Sequence, residues 1–128
     1  MFSIGAVKGI EFGLGFELAN LRGSLANDAF AIKDGKVVTL TNNNGGINGG
    51  ISNGMPVTFN VVVKPTPSIA KTQQTINMKT LKEEKINVSG RHDPCIAPRA
   101  LYVINSLVAL AILDMICEEY GKRYLMEK

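Results

Sequence analysis

IAPRALYVINSLVALAILDMICEEY, residues 96–120, is the stretch that decides the fold. Its apolar residues run on too long for a strand. Pro98 is tolerated only in a first helical turn, where a missing N–H leaves no bond unmade. Gly121 stands just past the end as a stop signal. One long helix is therefore predicted. It is apolar on most faces in its middle, so burial between layers is expected. Its apolar run, 101–116, is interrupted by Asn105 and Asp114. That run falls short of the roughly 20 residues that span a bilayer. A core helix is expected, with no membrane partner.

Immediately before the helix stands RHDPC, residues 91–95. A cation, an imidazole, a carboxylate, a proline and a thiol follow one another directly. Apolar packing does not explain that cluster. A loop that meets an anionic ligand at the mouth of a helix does.

Further upstream the signals are those of strands. In PVTFNVVVK, residues 56–64, Val57, Phe59, Val61 and Val63 alternate with other residues, giving the clearest strand. Residues 4–12 read as a second strand, broken by Gly13 and Gly15. FELANLR, 16–22, reads as a short helix stopped by Gly23. Asp34-Gly35 is a turn before a strand at 37–41, and residues 86–88 form a short strand. KTLKEEK, 79–85, reads as a solvated charge run. Helix and strands together predict an α/β chain of the α+β type, with mixed strands, in a single domain over residues 1–128.

Two other segments invite a ligand. NNNGGINGGISNG, residues 42–54, is permissive backbone. It serves either as a flexible linker or long hairpin loop, or as a loop whose N–H groups approach a ligand closely. It lacks the GK[ST] of a Walker loop and the GxGxxG of a dinucleotide fold. Lys64-Pro65-Thr66-Pro67-Ser68 ends the clearest strand in a stiff turn. A lysine beside hydroxyls there suits a phosphate or carboxylate, and a solvent-exposed corner has the same signature.

Composition sets limits. Among 128 residues, 14 are Lys or Arg and 11 are Asp or Glu, for a net charge of +3. There is no Trp, and the charges are interleaved. A nucleic-acid binder shows a denser basic stripe with stacking aromatics, so no nucleic-acid partner is expected. Cys95 and Cys117 form neither a disulfide framework nor a metal-ligand spacing. A reducing, cytoplasmic setting fits them.

At this point the chain resembles chorismate synthase. The segments that carry the resemblance occur in order: SIGAVKGIEFG (3–13), GSLAND (23–28), TNNNGGINGGISNGMPV (41–57), KPTPSI (64–69) and GRHDPCIAPRA (90–100). The resemblance covers the last third of that family's usual length. The family's Gly-Glu-Ser-His-Gly motif, second histidine and Ser-Ala-Arg flavin segment have no counterpart, and His92 is the sole histidine. The chain is therefore expected to be the C-terminal piece of a larger enzyme.

The resemblance implies a phosphate lyase that converts 5-enolpyruvylshikimate 3-phosphate to chorismate with reduced FMN, NADPH being a possible reductant. It implies a β-α-β sandwich assembled as a tetramer. This piece would supply a fragment of it, with one long buried C-terminal helix. It would then associate with further copies or with a missing N-terminal partner. Arg91 would lie at the flavin and the substrate anion, and Asp93 near the flavin as proton acceptor. Lys64, Pro65, Thr66, Pro67 and Ser68 would hold the FMN. Gly49 would bring its backbone against the cofactor, and Gly5 and Ala6 would form another flavin edge. His92 and Cys95 read as structural. Gly5, Tyr102 and Asn105 depart from the family pattern, which usually has Asn, Pro and Glu there. The alternative is a non-catalytic fragment that keeps flavin or anion binding.

Overall fold

The computed structural model describes residues 1–121; residues 122–128 of the expected domain lie outside the described residues. The chain divides into two compact units. One contains Val7–Val62 together with Phe2; the other contains Met1, Ser3–Ala6 and the chain from Val63 onward.

The first unit begins with strand β1 (Val7–Phe12). It pairs with β6 (Phe59–Val63), the strand that the Val/Phe alternation predicts. A Cβ on Gly9 would touch Val62, while the Gly13 amide donates to the Thr58 carbonyl, so the two strands run antiparallel. Gly13 and Gly15 end β1 at φ 56° and 53°, a region that favours glycine. The short helix expected over 16–22 is a 3-10 helix at Gly15–Asn20. Gly23 does not stop it; Gly23 opens the four-residue helix α1 (Gly23–Ala26). The Glu11 carboxylate explains the tighter winding. It accepts from the Phe16 amide and from the Asn60 side chain, anchoring the entry of the turn to the strand pair.

Strands β2 (Phe30–Lys33) and β3 (Lys36–Thr39) form a hairpin in the register Phe30↔Thr39 to Lys33↔Lys36. Asp34 and Gly35 turn it with φ of 52° and 72°, the doubly positive pair of a type I′ turn. Short strands β4 (Ile47–Asn48) and β5 (Ile51–Ser52) form a second hairpin within the Asn/Gly segment.

The second unit contains strands β7 (Thr72–Asn77) and β8 (Lys82–Asn87), paired antiparallel. Charged residues 82–85 are exposed, as the solvated charge run predicts, and lie in a strand. Both faces of the ribbon meet solvent, so alternation gives no apolar signal there. The Asn77 side chain accepts the Lys79 and Thr80 amides and closes the turn. Helix α2 (Ala97–Tyr120) is the predicted long helix, with Pro98 in its first turn and Gly121 at its C-terminal cap with φ 73°.

Mixed helix and strand content stands as read, but among the described residues the strands form four two-stranded sheets. Burial of α2 does not stand. Only Ala100 and Ile104 of the helix are buried, while Leu101, Leu110 and Met115 are 53%, 61% and 65% exposed. The physical reason is scale: the described chain has too little other mass to enclose 24 apolar-rich residues. At that length α2 also passes the length and composition test for a membrane span, as does the core helix of a soluble protein. The expectation that its apolar run is too short is therefore corrected.

Candidate functional site

The second unit brings together three of the segments singled out from the sequence. Ala6 accepts at its carbonyl from the Lys64 amide at 2.7 Å, so the 5–6 edge lies against the start of the Lys-Pro-Thr-Pro-Ser turn. Ala6 takes φ 67°, a left-handed backbone that an L residue adopts at a cost of about 1–2 kcal/mol. The Thr66 hydroxyl donates to the Asp93 carbonyl at 2.9 Å, joining that turn to the RHDPC loop. The Pro67 carbonyl accepts from the Gln73 side chain, fixing the far end of the turn to β7.

Asp93 does not pair with Arg91, two residues before it. Its carboxylate meets Arg99, in the first turn of α2, at 2.8 Å. Arg91 and Lys64 are exposed and form no ion pair with another described residue. Their charges are therefore open to a ligand anion. A Cβ on Gly90 would meet the His92 ring, which places that ring over its own loop. Cys95 is exposed and free. Gly5 is exposed and Ser68 half-buried. A shallow cavity on the β7–β8 ribbon, lined by Gln74, Thr75, Ile76 and Glu83, contains none of the predicted site residues.

Gly49 belongs to the first unit, in the Asn/Gly segment. That segment is neither a linker nor a slack loop. At its base, a Cβ on Gly45 would stand 2.5 Å from the Gly13 nitrogen and 2.6 Å from the Thr58 oxygen. One on Gly46 would stand 2.6 Å from the Pro56 oxygen. At its tip, Gly49 and Gly50 form the β4–β5 turn with φ of 57° and 81°, and a Cβ on either meets nothing within 4 Å. The base is crowded and the tip is open.

Sequence reasoning missed Asp28. Its side chain is buried, at 3% exposure, and accepts four hydrogen bonds. Burial is the largest influence on this carboxyl and pushes its pKa up. The Thr41 hydroxyl, the Asn44 and Asn43 amides and the Asn44 side chain together outweigh that and hold it below its ordinary value. The available signal was an acid in GSLAND, thirteen or more residues before its partners. Local spacing carries no trace of such a contact.

Comparison with known proteins gives one family. The family model described as chorismate synthase matches residues 1–117. The chain is 54% identical over 114 residues to the chorismate synthase of Thermococcus kodakarensis, covering 89% of this chain and 32% of that protein. It is 52% identical over 113 residues to that of Pyrococcus abyssi, covering 88% and 32%. A crystal structure of chorismate synthase aligns with TM-score 0.49 and 46% identity, over 52% of this chain and 20% of the other. The chain thus spans about a third of the length of the curated relatives it matches.

Proposed function

The chain belongs to the chorismate synthase family, and on that premise we propose that it supplies the C-terminal third of an FMN-dependent phosphate lyase. The substrate is 5-enolpyruvylshikimate 3-phosphate and the product chorismate. The observation that carries this reading is the junction of Ala6 with Lys64 and of Thr66 with Asp93, which gathers three segments of the resemblance in one unit.

The residues present fit a phosphorylated flavin. Lys64 and Arg91 are exposed cations without a described ion-pair partner. Lys64 and Ser68 take the FMN phosphate by charge and hydroxyl. Thr66 holds the turn by its bond to Asp93, while Pro65 and Pro67 stiffen it. Gly5 and Ala6 supply an edge to the ring. Arg91 offers a planar fork of donors to the substrate anion. Asp93 accepts the proton that leaves with the elimination. When bound, reduced FMN would supply electron density to the elimination. NADPH is the proposed source of its reduction, and the cytoplasm the proposed location.

Activity on this reading needs more chain than is present. Exposed Leu101, Val103, Leu110, Ile112 and Met115 on α2 support association with further copies, as in a tetramer, or with the segments that the relatives carry in addition. Exposed Lys64 and Arg91 favour a second reading, in which this chain alone binds FMN without turnover. One experiment separates the two. The chain is mixed with a polypeptide covering the remaining two-thirds of a relative, and FMN binding and phosphate release are measured. Release from the mixture alone supports the lyase. FMN binding by the chain with no release from the mixture supports the second reading. No binding in either sample rejects both.

A further inference from the structure

We infer that Asp28 is the positioning residue of the Asn/Gly loop: its buried carboxylate fixes the backbone at Asn43 and Asn44, and thereby aims the Gly49–Gly50 tip. The inference rests on the proposed reading only where it takes that tip to face FMN.

The geometry is a chain of bonds from one carboxylate to the tip. Asp28 Oδ1 accepts from the Thr41 hydroxyl at 2.6 Å and the Asn43 amide at 2.7 Å. Its Oδ2 accepts from the Asn44 amide at 2.9 Å and the Asn44 side chain at 2.8 Å. Asn43 in turn donates from its side chain to the carbonyls of Leu25 and Ala26, at the end of α1. Its own carbonyl accepts the Leu14 amide. Gly45 donates to Asn42 and accepts from Thr58, and Gly46 accepts from Asn53. The Asn53 side chain donates to Asn48, one residue before the tip. Between Asp28 and Gly49 the links are these hydrogen bonds, the β4–β5 pairing and steps between neighbouring residues of the chain, and every group belongs to the same unit.

A carboxylate accepts from all four partners at once, and two of them, the main-chain N–H groups of Asn43 and Asn44, can only donate. An amide at position 28 presents one oxygen and one NH2 group. The Thr41 hydroxyl and the Asn44 side-chain amide can turn to accept, but whichever way residue 28 is turned one main-chain N–H, of Asn43 or of Asn44, faces another donor. A buried donor left unmet destabilises its segment. The β2–β3 hairpin is held by its own backbone pairing.

The test uses the 128-residue chain and amide hydrogen exchange read by NMR. In Asp28→Asn the amides of Asn43, Asn44, Gly45 and Asn53 exchange at least about tenfold faster, while those of β2–β3 are unchanged. Adding Asn44→Asp restores an acceptor opposite the new NH2 group and recovers part of the protection. FMN titration then shows about tenfold weaker binding in Asp28→Asn, with recovery in the double variant. Unchanged protection in Asp28→Asn overturns the inference. Lost protection with unchanged FMN affinity overturns the aiming of the tip at FMN. If the wild-type chain binds no FMN, the flavin reading of the tip fails, and protection alone decides the role of Asp28. If β2–β3 protection is also lost, Asn44→Ala, which removes only one of the four bonds, replaces Asp28→Asn under the same criteria.

Discussion

The guanidinium of Arg99 stands 2.8 Å from the carboxylate of Asp93, so the first turn of α2 is tied to the loop before it. The side chains are 78% and 43% exposed. An ion pair so open to water contributes less than about 1 kcal/mol. Its value is orientation: Asp93 is held at its carbonyl by Thr66 and at its carboxylate by Arg99.

Asp93→Asn is expected to lower phosphate release by the reconstituted enzyme by about 10²–10⁴-fold, the range for loss of a general base. Arg99→Ala leaves the carboxylate in place and loses far less. Its urea midpoint shifts by no more than the equivalent of about 1 kcal/mol. Equal losses of turnover in the two variants reject Asp93 as the proton acceptor.

Gly45 and Gly49 separate backbone conformation from crowding. Both have positive φ, but only Gly45 has neighbours within reach of a Cβ. Gly49→Ala is expected to cost about 1–2 kcal/mol, the penalty of left-handed backbone alone. Gly45→Ala adds displacement of the Gly13 and Thr58 backbone, which has no flexible end to move, and costs clearly more. Denaturant unfolding of both variants measures this. Similar costs contradict the crowded-base, open-tip description.

Acid acts on the Asp28 network with a definite sign. The folded carboxyl lies below its ordinary value of 3.8. A depressed acid contributes stability that is present above its unfolded pKa and is lost as pH falls through the folded one. Stability is therefore expected to decline from about pH 3.8 downward. Thr41→Val removes one donor, raises the folded pKa toward 3.8 and shrinks that acid-dependent part. At neutral pH it lowers stability by about 1.5 kcal/mol, the lower end for bonds to a charged group. Unfolding curves at several pH values decide it; an unaltered acid limb in Thr41→Val excludes the hydroxyl from the network.

The exposed side of α2 predicts association. Sedimentation of the isolated chain is expected to show concentration-dependent oligomers. The pair Ile112→Glu and Met115→Glu, both at exposed positions, shifts the distribution toward monomer without loss of helical circular dichroism. A wild-type chain that stays monomeric at high concentration removes the support that α2 gives to a partner-dependent enzyme.

Much of the fold was legible because it is local. Pro98 and Gly121 mark the ends of α2, the alternation from Val57 to Val63 marks β6, and Asp34-Gly35 marks a type I′ turn. Each signal lies within a few residues of the structure it specifies. β7 and most of β8 were not legible, because a ribbon wet on both faces has no apolar alternation. The 3-10 winding at Gly15–Asn20 was not, because it depends on Glu11 and Asn60 across the strand pair.

The sequence by itself determined the family, through five ordered segments, and the residue types that an anionic ligand requires. Those follow from chemistry carried by single side chains and short motifs. Only the tertiary structure decided which of them meet. It joined Thr66 to Asp93, paired Asp93 with Arg99 rather than Arg91, and set Asp28 beneath the Asn/Gly loop. It also left α2 exposed where its composition suggests a core. Burial and hydrogen bonding depend on what the rest of the chain brings alongside, and no local pattern of residues encodes that.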